Sequence, residues 1–169
     1  MRKRDWAAHM KIMGRAFSAL TWLSLLSVLV VSCSRDPEAA SRAASARGDA
    51  HLKGGRVAEA NIEYRNAAQQ DPKSPGVREK LAETFLRLGD RKQAIEEYVR
   101  SADLAPDDAA LQLKVGELLL FAGQFDDAKA RAERATAKDP KSVEAQILLA
   151  NALAGLGARY EAINIKLDK

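Results

Sequence analysis

Three kinds of residue recur in this chain with one common period. Prolines, glycines and alanines each form a series with members 34 residues apart: Pro72, Pro106 and Pro140; Gly55, Gly89, Gly123 and Gly157; Ala60, Ala94, Ala128 and Ala162. A fixed period of this length is typical of arrays in which one helix-turn-helix unit stacks on the next. The spacing therefore predicts a repeat protein whose units bury their apolar faces against one another.

The period divides the chain into registers 41–74, 75–108, 109–142 and a partial 143–169. Apolar residues recur at helical spacing within them, as at Ala94, Tyr98 and Val99, and no stretch alternates as a strand does. We predict an all-α fold with about three full repeats and a truncated fourth, whose second helix would begin near Arg159. The short fourth register indicates a shortened member of a longer repeat family, and a naturally short protein is the alternative.

The chemistry of single residues accounts for the series. A glycine ends the first helix of each unit, because a residue with positive φ is wanted there. Ser74 and Asp90 are predicted to cap the helices that follow them. We expect the alanines where paired helices cross most closely, and Tyr64 and Tyr98 in the core.

The registers resemble the tetratricopeptide repeat, which has a small residue, Gly, Ala, an aromatic residue, a small residue and Pro in that order. The first register supplies Gly48, Gly55, Ala60, Tyr64, Ala67 and Pro72, and the second supplies Ala82, Gly89, Ala94, Tyr98, Ser101 and Pro106. The third has Ala132 in place of the aromatic residue. The resemblance covers residues 41–169 and implies a right-handed solenoid whose first helices line a concave, protein-binding surface.

The beginning of the chain differs in composition from the repeats. A basic stretch that ends at Arg15 precedes the uncharged run 16–31, and Cys33 is the only cysteine. This is the layout of a secretory signal peptide, and residues 30–33 resemble the lipobox of bacterial lipoproteins. The resemblance implies removal of residues 1–32, a lipid on Cys33 and a short tether over residues 33–40. An uncleaved inner-membrane anchor is the alternative.

The residue after the cysteine bears on location. In lipoproteins of double-membraned bacteria, Asp at that position tends to retain the protein in the inner membrane. This chain has Ser34 there. The resemblance therefore implies a bacterial cell-envelope protein that is lipid-anchored and faces the periplasm, with the outer membrane favoured over the inner membrane.

The composition argues against several other classes of protein. Residues 33–169 carry 22 Lys and Arg against 22 Asp and Glu, so a basic surface for nucleic acid is not expected. The same residues include one histidine, His51, and no Gly-rich phosphate loop. We expect His51 to be a core or boundary residue. We predict no enzymatic activity, no cofactor, no metal site and no small-molecule substrate.

The resemblance places candidate partner contacts on the concave surface. The predicted contacts are Leu52, Lys53, Glu79, Glu83, Leu86, Arg87, Leu113, Glu117, Leu120, Phe121 and Asn151. These apolar and charged residues would accept a protein segment as a helix or an extended strand. For each residue, the alternative is a solvated face on which the leucines are partly covered by helix packing.

One known binding mode is not expected. Arrays that bind the carboxylate tail of heat-shock chaperones resemble one another in a Lys and an Asn of the first repeat. Ser45 and Asp49 occupy those positions here, with Glu79 and Glu83 one repeat later. Acids at these places would repel a terminal carboxylate, so the sequence predicts that this clamp is absent.

A narrower resemblance suggests a setting. The lipobox, the tether and residues 48–67 together resemble long tetratricopeptide lipoproteins that accompany exopolysaccharide export and exosortase (PEP-CTERM) sorting systems. This implies a non-catalytic scaffold that binds proteins of an envelope assembly machine. The alternative is an accessory or regulatory subunit of an inner-membrane polysaccharide synthase, or of a pilus or outer-membrane assembly machine.

Overall fold

The computed structural model describes residues 36–167. Within this range the chain forms seven α-helices and no strand. In chain order they are α1 (Pro37–Lys53), α2 (Val57–Gln70), α3 (Pro75–Arg87), α4 (Arg91–Leu104), α5 (Ala109–Phe121), α6 (Phe125–Lys138) and α7 (Val143–Leu167). The first six pair as three hairpins, α1 with α2, α3 with α4 and α5 with α6, and α7 packs on α6 and α5. The predicted all-α solenoid is confirmed.

The first helix begins earlier than the predicted repeat does. Pro37 lies in the first turn of α1, where its fixed φ suits a helix and its missing N–H leaves no bond unmade. Residues 37–40, predicted as tether, are therefore helical. Ser41, the predicted first residue of the repeat, is buried, and its Oγ donates to the carbonyl oxygen of Ala67 at 2.9 Å.

Three of the four periodic glycines turn the chain as predicted. Gly55, Gly89 and Gly123 have φ of 71°, 83° and 72°, in the left-handed region. The predicted cap at Asp90 is present, because its side chain accepts from the N–H of Gln93 at 3.1 Å. Ser74 is the N-cap residue of α3 and the helix begins on Pro75, but the predicted capping bond from the Ser74 side chain is absent.

The fourth glycine does not turn the chain. Gly157 lies inside α7, which continues unbroken to Leu167, so the predicted second helix from Arg159 is not a separate element. Ala158 follows Gly157, whereas Asp90 follows Gly89 and caps the next helix. Alanine is the best helix former, so Ala158 favours continuation of the helix.

The core lies where the sequence places it. Ala60, Ala94 and Ala128 are fully buried at the helix crossings, as predicted. Tyr64 and Tyr98 are 0% and 1% exposed, and each belongs to one of two apolar clusters along the array. Small residues at the crossings let paired backbones approach closely, and the tyrosine rings fill the space between repeats.

The sequence did not predict that polar side chains at the fourth position of the second and third registers, Arg78 and Gln112, are largely buried between helices. Arg78 forms an ion pair with Glu97 at 2.8 Å, and both side chains are largely buried. One repeat later, Gln112 is buried, donates to the carbonyl oxygen of Ala102 and accepts from Arg131. These bonds satisfy buried polar groups that would otherwise destabilise the interface between repeats.

The predicted signal peptide and Cys33 lie outside the described residues. Within residues 36–167, no helix combines the length and the apolar character needed to cross a membrane.

Candidate protein-interaction surface

Two of the predicted contacts, Leu86 and Phe121, meet on one cleft. Leu86 is in the last turn of α3, and Phe121 is the last residue of α5, one repeat further on. The cleft between them, here called the Leu86–Phe121 cleft, has a volume of about 480 Å³. It is lined by Leu86, Arg91, Ile95, Leu118, Phe121 and Ala122.

The lining of this cleft is apolar except for one guanidinium. Phe121 is 90% exposed, the largest exposed fraction among the large apolar side chains whose burial is described. Leu86 is 37% exposed. Arg91 lines the same cleft at the start of α4. Such a surface can hold an apolar side chain of a partner and pair with a neighbouring acid.

Three of the five predicted charged contacts, Glu79, Glu83 and Arg87, are already in ion pairs. Glu79 accepts from Lys114 of the next repeat at 2.8 Å. Glu83 and Arg87 form an i,i+4 ion pair at 2.5 Å on α3. A partner that used these groups would have to displace an existing bond.

The remaining predicted contacts divide by burial. Leu52 and Leu120 are half-buried and pack against the core, and Leu113 is also half-buried. Leu52 and Leu120 are therefore partly covered by helix packing, the alternative stated above for the leucines. The exposed ones are Lys53, Glu117 and Asn151.

Sequence reasoning missed two lysines that lie 34 residues apart, Lys80 and Lys114. Lys80 donates to both carboxylate oxygens of Asp49, at 2.8 and 2.9 Å, and its ammonium lies 5.8 Å from the ring centroid of Tyr64. The hydroxyl of Tyr64 donates to Asp49 at 2.7 Å. We call Asp49, Tyr64 and Lys80 the first layer. The 34-residue spacing of the lysines was the available signal.

The same arrangement recurs one repeat later with a different acid. Lys114 lies 4.6 Å from the ring centroid of Tyr98 and pairs with Glu79. We call Glu79, Tyr98 and Lys114 the second layer. In the next repeat, Ala132 and Leu148 take the places of the tyrosine and the lysine, and Leu148 lies over Gly116. Gly116, Ala132 and Leu148 form the third layer.

Burial and hydrogen bonds in the first two layers shift the pKa values of Asp49, Tyr64 and Lys114. The hydrogen bond from Lys80 holds the pKa of Asp49 below its usual value. Burial, and then the hydrogen bond to Asp49, raise the pKa of Tyr64. Burial alone would lower the pKa of Lys114, but its hydrogen bonds to Glu79 and Tyr98 outweigh that effect and raise it. Lys114 is therefore charged and paired with Glu79 at neutral pH.

His51 lies half-buried at the end of α1, where its Nδ1 accepts from the Nε of Arg56 at 3.0 Å. This is the boundary position that the sequence predicts. Among the described residues, no group of three or more His, Cys, Asp or Glu side chains is arranged to hold a metal ion.

Comparison with known families agrees with the helical repeats. Two family models, both described as tetratricopeptide repeat, match residues 51–118 and 113–169. Together they span the array from the end of α1 onward. The chain belongs to the tetratricopeptide-repeat family.

Curated relatives share parts of the array. Superkiller complex protein 3 of Mus musculus is 29% identical over 85 residues. This match covers 50% of this chain and 5% of the mouse protein. A tetratricopeptide repeat and J domain-containing co-chaperone of Fusarium oxysporum f. sp. lycopersici is 30% identical over 136 residues, 80% of this chain and 26% of the fungal protein. The chain thus spans only a small part of either relative.

Solved structures show the same fold. The first tetratricopeptide domain of Spaghetti (RPAP3), bound to the HSP90 peptide SRMEEVD, superimposes with a TM-score of 0.56 at 20% identity. The match covers 71% of this chain and 95% of that domain. The tetratricopeptide fold is typically a non-catalytic scaffold for protein–protein interaction.

Proposed function

We propose that this tetratricopeptide chain is a lipid-anchored scaffold that binds a protein segment through the Leu86–Phe121 cleft. The observation that carries the binding site is Phe121, a large aromatic side chain left 90% exposed beside four other apolar residues. An exposed aromatic residue at the rim of an apolar cleft is the kind of anchor that dominates binding energy in protein interfaces.

The chemistry of the cleft defines the partner segment. An apolar side chain of the partner enters between Leu86 and Phe121, and an acidic neighbour pairs with Arg91. The peptide bound by the Spaghetti domain ends in an acidic tail, but this chain holds acids at Asp49, Glu79 and Glu83 in the groove. Asp49 and Glu79 also engage Lys80 and Lys114. The proposed ligand is therefore an apolar segment and not a terminal carboxylate.

The proposed setting is the bacterial cell envelope. Cys33 carries the lipid, residues 1–32 are removed as the signal peptide, and the array faces the periplasm. Ser34 favours the outer membrane. The resemblance to lipoproteins of exopolysaccharide and exosortase systems supports a partner that belongs to an export or sorting assembly.

Mass spectrometry of the intact protein tests the anchor. The chain is expressed in a double-membraned bacterium, and the membrane fraction is compared for the wild type and Cys33→Ala. We expect a chain that starts at Cys33 and is heavier by its acyl groups, with that species absent from the variant. An unmodified chain that retains residues 1–32 would refute the anchor.

Site-specific photo-crosslinking tests the cleft in the organism that encodes the chain. A photoreactive phenylalanine replaces Phe121, or Ile62, which is 58% exposed on α2 and outside the cleft. We expect one discrete protein adduct at position 121 that is lost when Leu86→Glu is added. Equal adducts at both positions, or an adduct insensitive to Leu86→Glu, would contradict binding in the cleft.

A further inference from the structure

One face of α7 is apolar, and no element among residues 36–160 covers it. We define the outer face of α7 by Val143, Ile147, Ala150, Ala154 and Gly157, whose alternating spacing of four and three residues places them along one side of the helix. All five are exposed, Val143 by 61% and Ile147 by 55%. The opposite side of α7 holds Ala145, Leu148 and Ala152 in the core.

The middle of this face, at Ala150, is covered in the two preceding repeats. Ala82 of α3, the counterpart of Ala150, is fully buried in a cluster with Leu111 and Val115 of α5. Gly116 of α5, the next counterpart, is buried beneath Leu148 of α7. At Ala150 the outer face of α7 therefore continues an interface that the array has already built twice, and the occupant that it fits is another helix with apolar side chains.

A head-to-tail stack of copies does not fit this face. In such a stack α1 of a second copy would lie where the next first helix lies in the array. At the position of Leu81 in α3 and Val115 in α5, α1 carries Arg47, which forms an ion pair with Glu63 at 2.8 Å. Val115 clusters with Ala82, the counterpart of Ala150, so Arg47 would be buried against the apolar middle of the outer face and removed from water, which is costly.

The outer face of α7 is complementary in side-chain size to the same face of a second, antiparallel α7. Its first half carries the larger side chains, Val143 and Ile147, and its second half the small residues Ala154 and Gly157, with Ala150 between them. In an antiparallel pair, Val143 and Ile147 of one copy lie against the small half of the other. The two Glu144 carboxylates then lie at opposite ends of the contact. We propose that the outer face of α7 binds α7 of a second copy, antiparallel and about a two-fold axis near Ala150.

A contact of this kind closes on itself, because the same patch is used by both copies. It is independent of the proposed binding function, since it uses α7 whereas the Leu86–Phe121 cleft is built from α3, α4 and α5. A failure of either proposal leaves the other standing.

Analytical ultracentrifugation of the full chain in detergent tests the dimer. The wild type is compared with Ile147→Glu and with Ile62→Glu, a matched control at an exposed isoleucine on α2. We expect a monomer–dimer equilibrium whose dissociation constant rises at least tenfold with Ile147→Glu and is unchanged by Ile62→Glu. Circular dichroism verifies that both variants fold. A monomer throughout, equal effects of the two variants, or a ladder of species beyond the dimer would overturn the proposal.

A second measurement fixes the geometry. In a Cys33→Ser background, Ala150→Cys is treated with a short bifunctional thiol reagent, beside Ile62→Cys as control. Because the axis passes near position 150, we expect a covalent dimer from Ala150→Cys and little from the control. Equal cross-linking of both, or efficient capture of a different protein in place of a second copy, would refute the antiparallel pair.

Discussion

The first and third layers of the array occupy equivalent places and are built from different chemistry. In the first layer a buried tyrosine, a carboxylate and an ammonium meet, with Tyr64 donating to Asp49 and Lys80 pairing with the same carboxylate. In the third layer Ala132 and Leu148 stand at the places of the tyrosine and the lysine. Leu148 fills the space over Gly116 that a tyrosine ring fills over Gly48.

This difference shows that one backbone arrangement accepts two ways to fill the same volume. A ring on the second helix can be replaced by an aliphatic side chain on the next first helix, provided that the crossing residue stays small. The exchange changes the surface as well. The first layer adds a pair of opposite charges to the groove, and the third adds none, so the apolar exposed surface is concentrated toward α5 and α7.

The largest effect is expected from emptying the first layer. Tyr64→Ala removes a ring that is 0% exposed, which should lower the free energy of unfolding by about 3–5 kcal/mol. Tyr160→Ala is the matched control, because Tyr160 is 60% exposed. Its effect should stay within about 0.5 kcal/mol. Urea unfolding followed by circular dichroism measures both. Similar costs for the two variants would mean that the layer is not packed as described.

A smaller loss of stability is expected when a methyl group is added at the small residue of the first or the third layer, and the two losses should differ. A Cβ at Gly48 would lie 2.6 Å from Cε1 of the buried Tyr64 ring, whereas one at Gly116 would meet the terminal Cδ2 of Leu148. A leucine can rotate and a buried ring cannot. We expect Gly48→Ala to cost about 1–3 kcal/mol, and Gly116→Ala to cost less. Chemical denaturation of the two variants decides this, and a greater loss from Gly116→Ala would reverse the comparison.

Replacing two glycines of the 34-residue series by alanine should change the free energy of unfolding in opposite directions. Gly123 has a φ of 72°, so Gly123→Ala should lower the free energy of unfolding by about 1–2 kcal/mol. Gly157 is inside α7 with open space at its Cβ position, so Gly157→Ala should raise that free energy by about 0.5–1 kcal/mol. Thermal melts of both variants provide the measurement. Destabilisation by Gly157→Ala would indicate that the helix does break there.

The smallest effect concerns the ion pair of the first layer. Because the folded state lowers the pKa of Asp49, its contribution is present above the unfolded-state value of about 3.9 and is lost as pH falls through the folded-state value. Both side chains of the pair are about two-fifths exposed, so Asp49→Asn should cost only about 0.5–1 kcal/mol at pH 7. The cost should vanish in acid.

Urea unfolding of Asp49→Asn at a series of pH values measures this contribution. Glu117→Gln, on the exposed face of α5, serves as the control. A cost for Asp49→Asn that is the same in acid as at neutral pH would exclude the ion pair as its cause.

The fold was predictable because each repeat contains its own turn glycine and its own small residue at the helix crossing. The positive φ at Gly55, Gly89 and Gly123 and the buried alanines at the crossings follow from single-residue sterics, which a 34-residue period makes visible. Gly157 was mispredicted because the period alone was followed there. The residue after it, Ala158, favours continuation of the helix, and that local preference decided the outcome.

The interaction surface was less predictable because it depends on contacts between repeats. Position within the repeat identified Leu86 and Phe121, but Arg91, Ile95 and Leu118 join their cleft from other faces of the helices. The pairing of Glu79 with Lys114 likewise crosses between neighbouring first helices. Such cross-repeat bonds depend on the rotation of one unit against the next, which no single register encodes.

The unbroken α7 is expected to be locally less stable than the helices inside the array. A helix that packs on the array with one side only is held by fewer neighbours than α3 or α5, which are enclosed on both. Amide hydrogens of α7 should therefore exchange with solvent before those of α5. Local opening of α7 precedes opening of the repeat beside it, so any partner that binds α7 also prolongs the time for which that repeat stays closed.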